Sequence, residues 1–224
     1  MSPPPELRRP GLWDLPSVVL PREQQEWLAG LARDFRGSPS WQRRKKAEIH
    51  DLLALAAIAP RLEVLAIDPR TALLARLVLR VPVPFRLDGM HELALAQRAH
   101  LVLHYPEEAM RMPLPGYAFV EIARPLGVFH PNVGGPLTTA AGGMLRGGPQ
   151  LLCLGAHVAP GTPVRELILA TYQALGMMTY HVDPASGAGV MNREAAAWWA
   201  GNLARLPLTK EPFLEARGAE GGEA

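Results

Sequence analysis

Leu62-Glu63-Val64-Leu65-Ala66-Ile67, then across Asp68-Pro69 the run Thr71-Ala72-Leu73-Leu74-Ala75-Arg76-Leu77-Val78-Leu79-Arg80-Val81, decides the fold class. In the second run Leu77, Leu79 and Val81 share one face while Arg76 and Arg80 take the other. That period of two is the signature of a half-buried strand. Asp and Pro between the runs are turn formers, so the pair reads as two successive antiparallel strands. Alternation resumes over Leu93–Tyr105, with Leu93, Leu95, Leu101 and Leu103 on one side and Arg98, His100 and His104 on the other. Asp88-Gly89 supplies the intervening turn, and Tyr117–Ala123 reads as a fourth strand. Strands joined in sequence by short turns predict a four-stranded antiparallel meander.

Helical periodicity flanks this block on both sides. Upstream, Trp27, Leu28, Leu31 and Phe35 recur at helical spacing over about Glu23–Phe35, with Pro21 at the entry and Gly37 as a stop. A second helix spans about Trp41–Ile58, capped by Ser38 or Ser40, with Ile49, Leu52, Leu53 and Ala56 as its apolar stripe. Downstream, Thr162 is placed to cap and Pro163 to open a helix whose buried face is Val164, Leu167, Ile168, Tyr172 and Leu175 before Gly176. A last helix starts near Asn192 and carries Trp198, Trp199 and Leu203. Adjacent helical positions point about 100° apart, so one of the two tryptophans is expected in the core and the other on a loop or a partner. Segregated strands and helices mean α+β.

Residues 1–20, with Pro3, Pro4, Pro5, Pro10 and Pro16, read as an extended arm, and 208–224 as a flexible tail; residues 21–207 form a single domain. A chain of 224 residues supports one substantial core, and 48% apolar with 20% charged residues is ordinary globular composition. The formal charge is only +2, which argues against nucleic acid as a partner. No apolar run reaches the length of a membrane span, so no membrane association is expected. A lone cysteine forms no internal disulfide, which makes a reducing cytoplasm the expected setting.

That cysteine lies in Leu151-Leu152-Cys153-Leu154-Gly155, downstream of Phe129-His130-Pro131-Asn132-Val133. Cys153 reads either as a small buried hydrophobe or as a nucleophile for acyl transfer. Asn132 reads as a turn residue that stiffens its loop, as an amide donor to an oxyanion, or as both. His130, beside a rigid proline, reads as a structural hydrogen-bonding group in preference to a general base. His157 and His181 read either as groups that approach the thiol and lower its pKa, as in a Cys–His hydrolase, or, more commonly, as polar loop residues. His91, His100 and His104 lack the Cys or carboxylate partners of a metal set, so neither a metal nor another cofactor is expected.

The ordered set of Tyr105-Pro106, Pro113 and Pro115, Phe129-His130-Pro131-Asn132, Cys153-Leu154, Pro160 and Pro163, and His181-Val182-Asp183-Pro184 resembles the ubiquitin-conjugating enzyme family over about residues 40–205. The resemblance implies that family's fold, with Glu23–Phe35 as an N-terminal extension. It implies a catalytic set of Cys153, Asn132, His130 and Asp183. In the family the Cys usually follows the Asn by about eight residues, which here falls on Ala140, so Cys153 requires a Gly-rich insertion over 133–152 whose entropic cost grows only slowly with length. The lysine-poor sequence, with Lys45, Lys46 and Lys210 its only three lysines, looks more like the bacterial branch.

The implied activity is to accept a ubiquitin-like protein as a thioester on Cys153 and pass it to a protein target or other amine. The implied partners are an activating enzyme, the ubiquitin-like protein and an associated metallopeptidase. The activating enzyme would dock on the first helix of the family core, which here carries Arg43-Arg44-Lys45-Lys46; the same charge run reads equally as a solvated helix face. The alternative is a catalytically inactive relative that binds a ubiquitin-like protein or scaffolds an assembly.

Overall fold

A computed structural model describes residues 19–87, 92–134, 149–179, 190–207, 209 and 211–214. Helix α1 (Arg22–Leu31) runs into a 3-10 turn over Ala32–Asp34, and α2 (Pro39–Ile58) follows. Ser38 caps α2 by accepting from the Trp41 amide at 3.3 Å, and Pro39 sits where a helix needs no N–H donor. On α1 only Leu28 is buried and Trp27 stands half exposed.

The strands are β1 (Leu62–Asp68), β2 (Leu73–Leu79), β3 (Val83–Phe85), β4 (Ala94–Ala96), β5 (Ala99–Tyr105), β6 (Leu114–Pro115), β7 (Val120–Arg124), β8 (Val133–Gly134), β9 (Gln150–Leu152) and β10 (His157–Val158). Helices α3 (Val164–Leu175) and α4 (Arg193–Ala200) complete the fold. The architecture is α+β, as expected. The main sheet has six antiparallel strands in the order β1-β2-β5-β7-β9-β8 where four were expected. The two additional strands flank the Cys153 region, and short strands of two and three residues leave little alternation to read.

The core follows from the period of two. Leu73, Ala75, Leu77 and Leu79 of β2, and Ala99, Leu101, Leu103 and Tyr105 of β5, are buried in one cluster with Val120, Ile122 and Leu152. Ile49, Leu52 and Leu55 of α2 and Val164, Leu167, Ile168 and Leu175 of α3 belong to the same cluster. Arg76 and His104 lie on the solvent side.

Four expectations are corrected. The Leu93–Tyr105 run is two strands: β4 pairs with β3 in a separate hairpin while β5 pairs with β2, and Leu95 is therefore exposed. Tyr117–Ala118 lies in a 3-10 turn, so the next strand begins at Val120. Thr162 does not cap α3; its hydroxyl donates to Ala159 O at 2.8 Å, and the Val164 amide is instead taken by Glu48 Oε2 of α2 at 2.7 Å. Part of the supposed tail packs: Phe213 is buried against Tyr172 with ring centroids 5.1 Å apart, Tyr172 Oη donates to Glu211 O, and Arg61 pairs with Glu211. An aromatic side chain buries enough area to hold a short segment down.

Among the described residues, no helix is long and apolar enough to cross a membrane. The Asp88-Gly89 turn, and residues 1–18 of the expected arm, lie outside the described residues.

Candidate active site

The His-Pro-Asn turn and the cysteine meet through the backbone. Val133 pairs with Leu152 and Gly134 with Leu151, so the turn and Cys153 lie at the same end of the β8–β9 pair. The Cys153 amide donates to Asn132 O at 2.8 Å, and Asn132 Nδ2 donates to Cys153 O at 3.3 Å. Two residues 21 positions apart thus exchange both a backbone and a side-chain bond. Cys153 and Asn132 are both buried, 6% and 7% exposed. The thiol donates to Gly155 O at 3.2 Å. Asn132 Oδ1 is buried with no partner among the described residues, which leave the carboxamide half satisfied. A desolvated acceptor of that kind costs about 1–3 kcal/mol, so the surrounding backbone must hold it in place.

His130 anchors this turn. Its Nδ1 accepts from the Asn132 amide at 3.0 Å and its Nε2 bonds to Ala174 O at 2.8 Å, at the end of α3. Those two bonds require the neutral Nε2–H tautomer, and complete burial pushes the imidazole pKa down to about 4. An imidazole with both nitrogens committed to main-chain groups has none left for a general base.

The linkage has a definite sign. The unfolded imidazole takes up a proton near its ordinary pKa of about 6.5, well before the folded one does. Stability is therefore full above about pH 6.5 and falls as the pH drops toward 4, by about 3 kcal/mol from this group. Urea denaturation at pH 7 and pH 4 is expected to show that excess loss in the parent relative to His130→Gln. Parallel profiles would remove His130 as the cause.

The segment after Cys153 is seated on the turn that precedes β7. Leu154 N donates to Gly116 O at 3.3 Å, and a Cβ at Gly116 would fall on the carbonyl oxygen of Gly155. Gly155 itself holds φ +131, a conformation that L side chains rarely adopt. Upstream, Gln150 Oε1 accepts from the Val128 amide at 2.8 Å while its Nε2 reaches Ile122 O and Pro125 O. A glutamine this deeply buried beside an apolar Leu-Leu-Cys-Leu run is a signal the sequence carried, but its partners lie 22 to 28 residues away.

Among the described residues, the other histidines named from the sequence do not gather here. Asp183, His181, His91 and Ala140, and most of the Gly-rich 133–152 segment, lie outside the described residues. His157 is exposed on β10, paired with Pro115. His100 and His104 stand opposite Val78 and Leu74 on β2. Among the described residues no three His, Cys, Asp or Glu side chains converge.

The basic run on α2 divides into two kinds of residue. Arg43 and Lys46 are exposed. Arg44 forms an ion pair with Glu48 at 2.5 Å and donates to Gly161 O at 2.8 Å. Burial raises the Glu48 pKa, against the lowering effect of the Val164 amide and Arg44. Lys45 is fully buried, and its Nζ donates to the carbonyls of Arg36, Pro69, Arg70 and Thr71 at 2.5–3.2 Å. Membership of Lys45 in an exposed docking patch is therefore corrected. One helical turn of four cations cannot present all of them to the same side.

Comparison with family models, curated proteins and solved structures finds no match to this chain.

Proposed function

We propose that this chain is a transferase of the ubiquitin-conjugating type, with that family's fold and its divergent bacterial character. It accepts a ubiquitin-like protein as a thioester on Cys153 from an activating enzyme and transfers it to an amine. The observation that carries the reading is the reciprocal bonding of Asn132 and Cys153. Both bonds use the main chain of residue 153, so they hold a carboxamide beside the thiol without consuming it.

In loading, the thiol leaves Gly155 O and loses its proton. Sγ then forms a bond to the acyl carbon, and the donor thiolate departs and takes up a proton. In discharge, an unprotonated amine attacks the same carbon, the C–S bond breaks, and the amine's proton returns Cys153 to the thiol. No cofactor is needed on this chain, since ATP is spent by the activating enzyme. Arg43 and Lys46 are the residues of the basic run exposed for docking that enzyme. Asp183 keeps its place as a further catalytic candidate, a metallopeptidase as an associated partner, and the cytoplasm as the setting.

The inactive, scaffolding alternative is favoured by one observation, the burial of the Cys153 thiol against Gly155 O. One experiment separates the two. With activating enzyme, ATP and ubiquitin-like protein, the expected product is an adduct on this chain that added thiol removes. An adduct that resists thiol overturns the thioester. Binding of the ubiquitin-like protein with no adduct at all selects the scaffold.

A further inference from the structure

We infer that Trp199, on α4, is a positioning residue for the His-Pro-Asn turn. This deepens the conjugating reading and rests on it. Trp199 is buried, and its Nε1 donates to Phe129 O at 3.0 Å, the residue before His130. At the other end of α4, the amides of Met191 and Asn192 donate to Pro131 O at 2.9 and 3.0 Å. Asn192 Oδ1 caps the helix by accepting from the Ala195 amide at 2.9 Å, which fixes the direction of those two amides.

The turn is therefore held from three sides. His130 ties it to the end of α3, Asn132 ties it to Cys153, and α4 grips Phe129 and Pro131 between them. Such a grip explains how Asn132 keeps Oδ1 buried with no partner among the described residues. Without it the short turn has freedom to rotate the carboxamide toward water, and the Asn132 Nδ2 bond to Cys153 O is lost with that rotation. Trp198 serves as the internal comparison. It is the neighbouring ring, packed edge-on against both Phe129 at 6.0 Å and Trp199 at 4.6 Å, and it is less buried.

Trp199→Phe keeps an aromatic ring and deletes the indole N–H. Loss of one buried hydrogen bond is worth about tenfold in a rate that depends on it. With protein preloaded on Cys153 and the activating enzyme quenched, Trp199→Phe is expected to discharge to hydroxylamine about tenfold more slowly than the parent, and Trp198→Phe within about twofold. In an Asn132→Ala background, Trp199→Phe is expected to add nothing, because both act through the same carboxamide. A parental discharge rate for Trp199→Phe, or full additivity with Asn132→Ala, overturns the inference.

A readout independent of charging separates this from failure of the conjugating reading itself. The side-chain amide resonances of Asn132 are expected to shift in Trp199→Phe and stay in place in Trp198→Phe; unmoved resonances in Trp199→Phe overturn the positioning role. A parent that takes no adduct, with those resonances still shifted, overturns the conjugating reading alone. Should Trp199→Phe fail to fold, Asn192→Ala, which removes the α4 cap, is put through the same comparisons with the same expected outcomes.

Discussion

Asn132→Ala is expected to load on Cys153 and then discharge on the order of a hundredfold more slowly than the parent, the size of effect found when an oxyanion donor is removed. The two steps ask different things of the site. Loading exchanges one thioester for another of similar stability, so it depends on access and position. Discharge asks an amine that is largely protonated at neutral pH to attack, and the developing oxyanion then benefits from a fixed dipole. One Asn132 N–H is committed to Cys153 O and the second is free of that bond. The same side chain also ties the two loops together, so both roles predict slow discharge. Loading, quenching the activating enzyme and following adduct loss with added lysine separates the steps. Cys153→Ala in the same assay is expected to carry no adduct, and Cys153→Ser only a thiol-resistant ester. An Asn132→Ala protein that discharges at the parental rate would eliminate both roles, and an adduct that persists in Cys153→Ala would move the chemistry to another residue.

Lys45→Met is expected to lower the free energy of unfolding by about 3–5 kcal/mol, and Lys45→Glu to prevent folding. The ammonium gathers four carbonyls from two separate segments, Arg36 before α2 and Pro69, Arg70 and Thr71 in the β1–β2 turn. It also lies over the rings of Phe35 and Trp41, 5.1 and 5.5 Å from their centroids. Desolvation lowers its pKa, opposed by the charges of Glu107 and Asp68. A methionine fills the volume but leaves buried carbonyls without their donor; a carboxylate adds repulsion among them. By contrast Arg43→Glu with Lys46→Glu is expected to change stability by no more than about 0.5 kcal/mol while slowing charging, as exposed interface charges do. Denaturant titration and charging rates across activating-enzyme concentrations measure the two effects. A Lys45→Met protein within 1 kcal/mol of the parent, roughly the net worth of one hydrogen bond, would show that the carbonyls find other partners. Charging unaffected by the Arg43 and Lys46 reversals would leave those residues as a solvated face.

The patterns that repeat every two or every 3.6 residues were legible without coordinates. The Leu77/Leu79 alternation, the α2 stripe through Ile49 and Leu52, and the α3 face through Leu167 and Ile168 all point into the core, and Asn192 caps α4. Each depends on neighbours within a few residues, so local sequence determines it. The tryptophan pair was legible to the same degree: one is core, and geometry on a helix decides that both cannot be equally so.

Which residues meet across the chain was decided only by tertiary structure. Glu48 caps a helix 116 positions away, Gln150 binds segments 22 to 28 positions back, and Trp199 reaches Phe129 across 70 positions. Lys45 reads as one of four surface cations until the β1–β2 turn is brought over it. Periodicity gives the face of an element but not what covers that face. The meeting of Asn132 with Cys153 has the same origin: the lone cysteine and the resemblance carried by His130-Pro131-Asn132 marked both as candidates, while the β8–β9 pairing and the amide of Cys153 on Asn132 O bring them within a hydrogen bond. Burial of a charge or an amide is settled by the summed solvation and hydrogen bonding of distant segments, and no local pattern records that sum.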